Sequence, residues 1–262
     1  MREPQVNLIC LPFAGGSAYS YVDLEKSTAS FVKVLPIELP GRGRRFAEPL
    51  LTDLHGMARD ALEQAKEAIT AKPYALFGHS LGAKLAYEVA RGIIREGFPA
   101  PAHMFLSGCA APSVPPKSRH RHLLPRDAFL EMINELGGTP REVLLEEGLM
   151  DLFEPILRAD FQANDTYSHR NGTDTGGYGC GCGCGRGRRA PLTQPMTIMI
   201  GTKDIVSHEE ALKWRDETSG KTRLLELPGG HFFIFEHWNT IGRIISETLE
   251  YLAPQTPRPY PG

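Results

Sequence analysis

The chain has 262 residues, 41% hydrophobic and 23% charged, an ordinary folded composition with room for one large α/β domain or two small ones. Lys plus Arg (29) nearly offset Asp plus Glu (31), giving a net charge of −2, so the basic excess that grips a nucleic-acid backbone is missing. No apolar run approaches the ~20 residues of a membrane span, which leaves neither nucleic acid nor membrane as an expected partner.

The first apolar run, Val6–Leu11, is too short for an export signal and reads as a strand. A cytoplasmic protein with reduced thiols is therefore expected. Five cysteines are an odd count and exclude a full disulfide framework. Cys10 and Cys109 read as small core residues. Further short runs rich in Val, Ile, Leu and Met occur at 32–37, 74–77, 104–106, 196–200 and 223–227. Most do not alternate, as expected of buried parallel strands. Between them lie helix patterns. Thr52 is placed to cap a helix with Leu54, Met57, Ala61, Leu62, Ala65 and Ile69 on its apolar face. A second helix is predicted over 83–95, stopping near Gly97 and Pro99. This alternation predicts an α/β fold with a mostly parallel central sheet and helices on both faces.

The rhythm breaks at 113–167. No strand is evident there, and Phe129, Met132, Ile133 and Leu136 share one helical face ending at Gly137 and Gly138. Thr139-Pro140-Arg141-Glu142 has capping-box spacing. An inserted helical lid over a site is expected. Gly172–Arg189 as a stretch of sequence holds eight glycines in 18 residues, too little apolar surface to offset its ordering entropy. Cys180, Cys182 and Cys184 alternate with glycine there. Zinc sites commonly space a cysteine pair by two to four residues, and here the spacing is one, so no metal is expected. The expected organisation is a first core part at 1–112, the lid at 113–167, a second core part at 168–252 with a flexible Gly/Cys-rich loop at 172–189, and a disordered tail at 253–262.

Gly78-His79-Ser80-Leu81-Gly82 stands between the predicted strand at 74–77 and the helix that follows. In that context G-x-S-x-G is a nucleophile elbow, whose tight turn lifts the Ser80 hydroxyl clear of the sheet. A serine needs a base, and on this fold the order is Ser, then Asp or Glu, then His. His231, in Pro228-Gly229-Gly230-His231, follows the last strand, with His237 its near competitor. Asp204, after the strand at 196–200, would orient the imidazole; Glu209 and Asp216 are rivals on the following helix. An oxyanion needs two backbone donors. The Leu81 N–H is one candidate, and the Ala14 N–H in the Gly-rich loop at 11–17 is the other.

The matching stretches Pro12-Phe13-Ala14-Gly15-Gly16, Glu38-Leu39-Pro40-Gly41-Arg42-Gly43, Gly78-His79-Ser80-Leu81-Gly82-Ala83, Leu136-Gly137-Gly138-Thr139-Pro140, Leu157-Arg158-Ala159-Asp160-Phe161 and Gly229-Gly230-His231-Phe232-Phe233 resemble the type II thioesterases of polyketide and nonribosomal peptide synthesis. The Gly-rich stretch 172–189 departs from that pattern, where a much shorter loop is expected. The resemblance implies an α/β-hydrolase fold and a stand-alone thioesterase. Such an enzyme clears aberrant or stalled acyl groups from the phosphopantetheine arm of acyl or peptidyl carrier proteins. It implies no resident cofactor, since the substrate carries the phosphopantetheine, and a monomer is expected. Phe13, Phe129, Met132, Ile133 and Leu136 are candidate substrate-binding residues, with Leu152 and Phe153 as further members of the lid's apolar face. Arg42, Arg44 and Arg45 read either as a solvated basic turn or as a docking patch for an acidic carrier protein. The alternatives are a general carboxylesterase or lipase on the same fold and a non-catalytic binding module.

Overall fold

A computed structural model describes residues 5–139, 141–169 and 190–253. The Gly/Cys-rich segment with Cys180, Cys182 and Cys184, the Pro140 of the predicted capping box, and the tail beyond Ala253 lie outside the described residues. Six strands form one sheet: β1 (Val6–Leu11), β2 (Val32–Pro36), β3 (Tyr74–His79), β4 (His103–Ser107), β5 (Met196–Gly201) and β6 (Thr222–Leu227). Their order is β2-β1-β3-β4-β5-β6 and every pairing is parallel.

The helices are α1 (Val22–Ser27), α2 (Leu54–Ala71), α3 (Leu81–Arg95), α4 (Arg126–Leu136), α5 (Arg141–Leu144), α6 (Glu147–Thr166), α7 (His208–Leu212) and α8 (Trp238–Leu249). Successive strand residues point to opposite faces of the sheet, and the core divides accordingly. Ile9, Leu11, Leu76 and Met104 pack with the apolar faces of α2 and α3. Leu8, Cys10, Phe77 and Phe105 pack with Leu24 of α1 and Ile241 and Ile245 of α8. The sheet is thus covered on both faces, as the unalternating apolar runs predict.

Two helix starts differ from the sequence expectation. The cap of α2 is Asp53, whose carboxylate accepts from the His55 and Gly56 N–H groups at 3.1 Å; Thr52 lies one residue outside. Helix α3 begins at Leu81 rather than Ala83, because the turn at Ser80 feeds directly into it. Between β4 and β5 the chain forms α4, α5 and α6, with their own small core of Phe129, Ile133, Leu144, Met150, Leu157 and Phe161. Among the described residues no helix is long and apolar enough to cross a membrane.

Candidate active site

The turn between β3 and α3 is the most constrained in the described chain. Ser80 has φ 54° and ψ −117°, the one positive φ outside glycine among the described residues. Strain of this kind costs on the order of 1–3 kcal/mol and persists only where the surroundings impose it. Gly78 and Gly82 make the turn possible: a Cβ on Gly78 would strike the Gly82 carbonyl, and one on Gly82 would strike the Leu11 carbonyl. Ser80 occupies the N-cap of α3, yet its side chain caps nothing. Its hydroxyl instead lies 3.0 Å from His231 Nε2.

The loops after β5 and β6 bring the other two residues in. The Lys203 N–H donates to the Gly229 carbonyl at 2.8 Å, which fixes one loop against the other. Asp204 Oδ1 then sits 2.8 Å from His231 Nδ1 and also accepts from the Val206 N–H at 3.2 Å. The Asp204 side chain has no solvent exposure. A carboxylate can only accept, so Nδ1 carries the proton and Nε2 is left to accept from Ser80. The rivals are elsewhere. Glu209 lies on α7, Asp216 neighbours Lys213 on the surface, and His237 Nε2 contacts the Pro228 carbonyl at 2.8 Å.

His79 was not singled out by sequence reasoning and packs directly behind this set. Its ring centroid lies 5.0 Å from that of His231 and its Nδ1 is 3.0 Å from Ser107 Oγ. Burial, reinforced by the His231 charge, holds its pKa well below the usual histidine value. A neutral His79 adds no repulsion when the neighbouring imidazole gains a proton.

The Ala14 and Leu81 N–H groups have no acceptor among the described residues, and both residues border the same cavity as Ser80 and His231. Leu81 opens α3, where backbone donors have no partner within the helix and the helix dipole favours negative charge. The loop carrying Ala14 is held at two of its N–H groups. Its Gly15 N–H donates to Asp160 Oδ2 at 2.8 Å, Asp160 is gripped by Arg42, and the Ala18 N–H donates to Glu38 at 3.1 Å.

The basic turn expected at Arg42, Arg44 and Arg45 is corrected here. Arg42 is buried with a side-chain exposure of 3%, and Asp160 is its counterion. Arg45, partly buried, pairs with Asp60 and Glu48, and of the three only Arg44 is exposed. Arginine's fork matches a carboxylate with two hydrogen bonds, which explains why it can be buried here.

The cavity above Ser80 measures about 180 Å³. Ile133 and Leu136, on one face of α4, line it. Phe13, Phe129 and Met132 are not among its lining residues. Phe13 lies behind the site in an aromatic cluster with Tyr21, His79 and Phe232. Phe129 fills the core of the inserted helices, its ring 5.6 Å from Phe161 and 4.3 Å from the Arg158 guanidinium. Met132 packs against that same core. Leu152 and Phe153 face outward, 54% and 42% exposed. The walls that sequence reasoning missed include Leu157, Phe161 and Phe232. The i, i+4 spacing of Leu157 and Phe161 was the available signal, since it sets both on one helical face. Cys109 also lines the cavity, but burial pushes its thiol up to about 11. A thiol so raised stays protonated near neutral pH.

A parallel sheet covered on both faces, with a strained serine at a strand-to-helix turn and Asp and His on later loops, defines an α/β-hydrolase. The thioesterase domain family matches residues 6–249, and the chain belongs to that family. It is 34% identical over 245 residues to the thioesterase PikA5 of Streptomyces venezuelae, covering 93% of this chain and 81% of the relative. Among solved structures it resembles ClbQ from the colibactin NRPS/PKS pathway, at 31% identity and a TM-score of 0.82 over 95% of this chain and 98% of that one. It also resembles the type II thioesterase BorB from the borrelidin biosynthetic cluster, at 32% identity and a TM-score of 0.80 over 95% of each chain.

Proposed function

We propose that the chain is a serine thioesterase that removes aberrant or stalled acyl groups from the phosphopantetheine arm of carrier proteins in polyketide or nonribosomal peptide synthesis. The observation that carries this reading is the contact chain Ser80 Oγ–His231 Nε2 and His231 Nδ1–Asp204 Oδ1, at 3.0 Å and 2.8 Å, facing a largely apolar cavity in a member of the thioesterase family. Ser80 attacks the thioester carbonyl while His231 takes its proton. The Leu81 and Ala14 N–H groups receive the developing oxyanion. The carbon–sulfur bond breaks and the pantetheine thiol leaves, taking a proton from His231. A water, deprotonated by His231, then attacks the acyl-serine, and the acid departs as Ser80 recovers its proton. A thiol has a pKa of about 8.5 against ~15.7 for water, so departure needs little assistance.

The names of the relatives support a substrate held on a synthase rather than a free ester. The test compares wild type and Ser80→Ala on three substrates: an acyl carrier protein loaded with butanoyl-phosphopantetheine, butanoyl N-acetylcysteamine and ethyl butanoate. Turnover in the order carrier protein, thiol ester, oxygen ester, all abolished by Ser80→Ala, is expected. A preference for ethyl butanoate would mark a general carboxylesterase, and thioester turnover that survives Ser80→Ala would remove serine from the mechanism.

A further inference from the structure

Three cationic side chains of the described structure line the cavity: Lys84, Lys117 and Arg121. Two have carboxylate partners. Arg121 binds Asp165 through Nε and Nη2, and Lys117 Nζ lies 2.9 Å from Glu210 at an exposed position. Lys84 has none among the described residues. Its Nζ donates to Asn164 Oδ1 at 2.8 Å and stands 5.7 Å from the centroid of the Tyr167 ring. Burial lowers its pKa from the usual lysine value; Cys109 and Asp165 oppose that shift and Arg121 adds to it.

An ammonium has three N–H donors and no acceptor. One is taken by Asn164, so the chain's own groups leave Lys84 with unfilled donors in a partly desolvated place. Such groups carry a cost that a guest acceptor would remove. Position supplies the rest of the argument. Lys84 stands one turn of α3 beyond Ser80, a rise of about 6 Å. An acyl chain attached at Ser80 and running into the cavity therefore passes along the wall that Lys84 and Asn164 share, while Ile133, Leu136, Leu157 and Phe161 form apolar wall elsewhere. A pocket built only for hydrocarbon gains nothing from an unpaired cation there.

We propose that Lys84, held in place by Asn164, is a recognition point for an oxygen acceptor on the acyl chain, so that the enzyme favours acyl groups bearing a ketone, hydroxyl or carboxylate over plain alkanoyl groups of equal length. This inference rests on the thioesterase reading above and specifies its substrate class. A hydrogen bond to a charged donor discriminates far more strongly against a guest lacking the acceptor than an apolar wall discriminates by size.

The test uses N-acetylcysteamine thioesters of butanoate, 3-oxobutanoate, 3-hydroxybutanoate and succinate with wild type and Lys84→Met. For each oxygenated chain, kcat/KM is divided by that for butanoyl, and the wild-type ratio is divided by the variant ratio, which cancels intrinsic reactivity. A double ratio of about 10 to 100 for at least one oxygenated chain is expected from a charge-assisted hydrogen bond, with butanoyl turnover retained. The succinyl arm separates attraction of a negative charge from acceptance by a neutral oxygen. Double ratios near one for all three, with butanoyl still hydrolysed, overturn the inference and leave the thioesterase reading standing. Failure of wild type to hydrolyse any thioester overturns that reading instead. Should Lys84→Met not fold, calorimetry of wild type with the non-hydrolysable ketone analogues of butanoyl- and 3-oxobutanoyl-pantetheine decides. Tighter binding of the oxygenated analogue supports the inference, and equal or weaker binding overturns it.

Discussion

Arg42 and Asp160 are separated by 118 residues and form a two-pronged ion pair with both contacts at 2.7 Å. The same Asp160 Oδ2 takes the Gly15 N–H. One carboxylate on α6 thus ties the inserted helices to the turn after β2 and to the loop that presents the Ala14 N–H. Breaking one side of a buried pair strands the other charge, at a cost of about 3–5 kcal/mol. Arg42→Met and Asp160→Asn should each lower the urea midpoint strongly and reduce kcat. The informative variant is Arg42→Met with Asp160→Leu. Removing both charges should restore much of the stability, but kcat should stay down by up to about 10²-fold, the scale of one misplaced oxyanion donor. Wild-type turnover in the double variant would mean the pair serves stability alone.

Ser80→Ala and His231→Ala should each lower kcat by about 10⁴-fold or more, and the double variant should be no worse, since the groups act as a unit. Asp204→Asn should cost somewhat less, through a wrong imidazole tautomer. Single-turnover assays on a butanoyl thioester measure all three. Near-normal activity of Asp204→Asn would remove it as the orienting acid.

Leu136 and Leu157 reach the cavity from α4 and α6. Enlarging either one, as Leu136→Trp or Leu157→Phe, should cut kcat/KM for octanoyl thioesters at least tenfold more than for acetyl, because only the longer chain reaches the filled volume. An equal loss on both substrates would trace to misfolding of the inserted helices.

His103 is buried, with Nε2 2.9 Å from Thr197 Oγ1. Burial pushes its pKa down to about 4. The unfolded chain takes up this proton near pH 6.5, whereas the folded one waits until about pH 4. The unfolded state therefore binds more protons across that window, and stability is full above pH 6.5 and lost as pH falls. The loss traceable to His103 should be about 2 kcal/mol by pH 5. Urea unfolding at pH 7 and pH 5 should show a smaller drop for His103→Gln than for wild type. Parallel drops would place the acid sensitivity elsewhere, with the buried His79 the next group to replace.

Much of this protein could be read from local pattern. The four inner strands β1, β3, β4 and β5 are buried throughout because both faces of a parallel sheet are covered, while β2 and β6 at its edges carry charged residues. The glycines at 78 and 82 announced a turn that admits no Cβ, and the chain order of Ser80, Asp204 and His231 pointed to their meeting on one edge of such a sheet. What local pattern could not decide is which distant side chains share a volume. Arg42 looked like part of a solvated turn because nothing within 100 residues of it reveals Asp160. Phe129 and Met132 shared a helical face with Ile133 and Leu136, yet the face is wide enough to serve two neighbours. Only the packing of α4 on α6 confined the first two to the core of the inserted helices and let the last two border the cavity as well. Lys84 would pass for an ordinary charged residue of a surface helix. Burial of α3 between the sheet and its neighbouring helices turned it inward, one turn from Ser80, and that placement belongs to the tertiary structure alone.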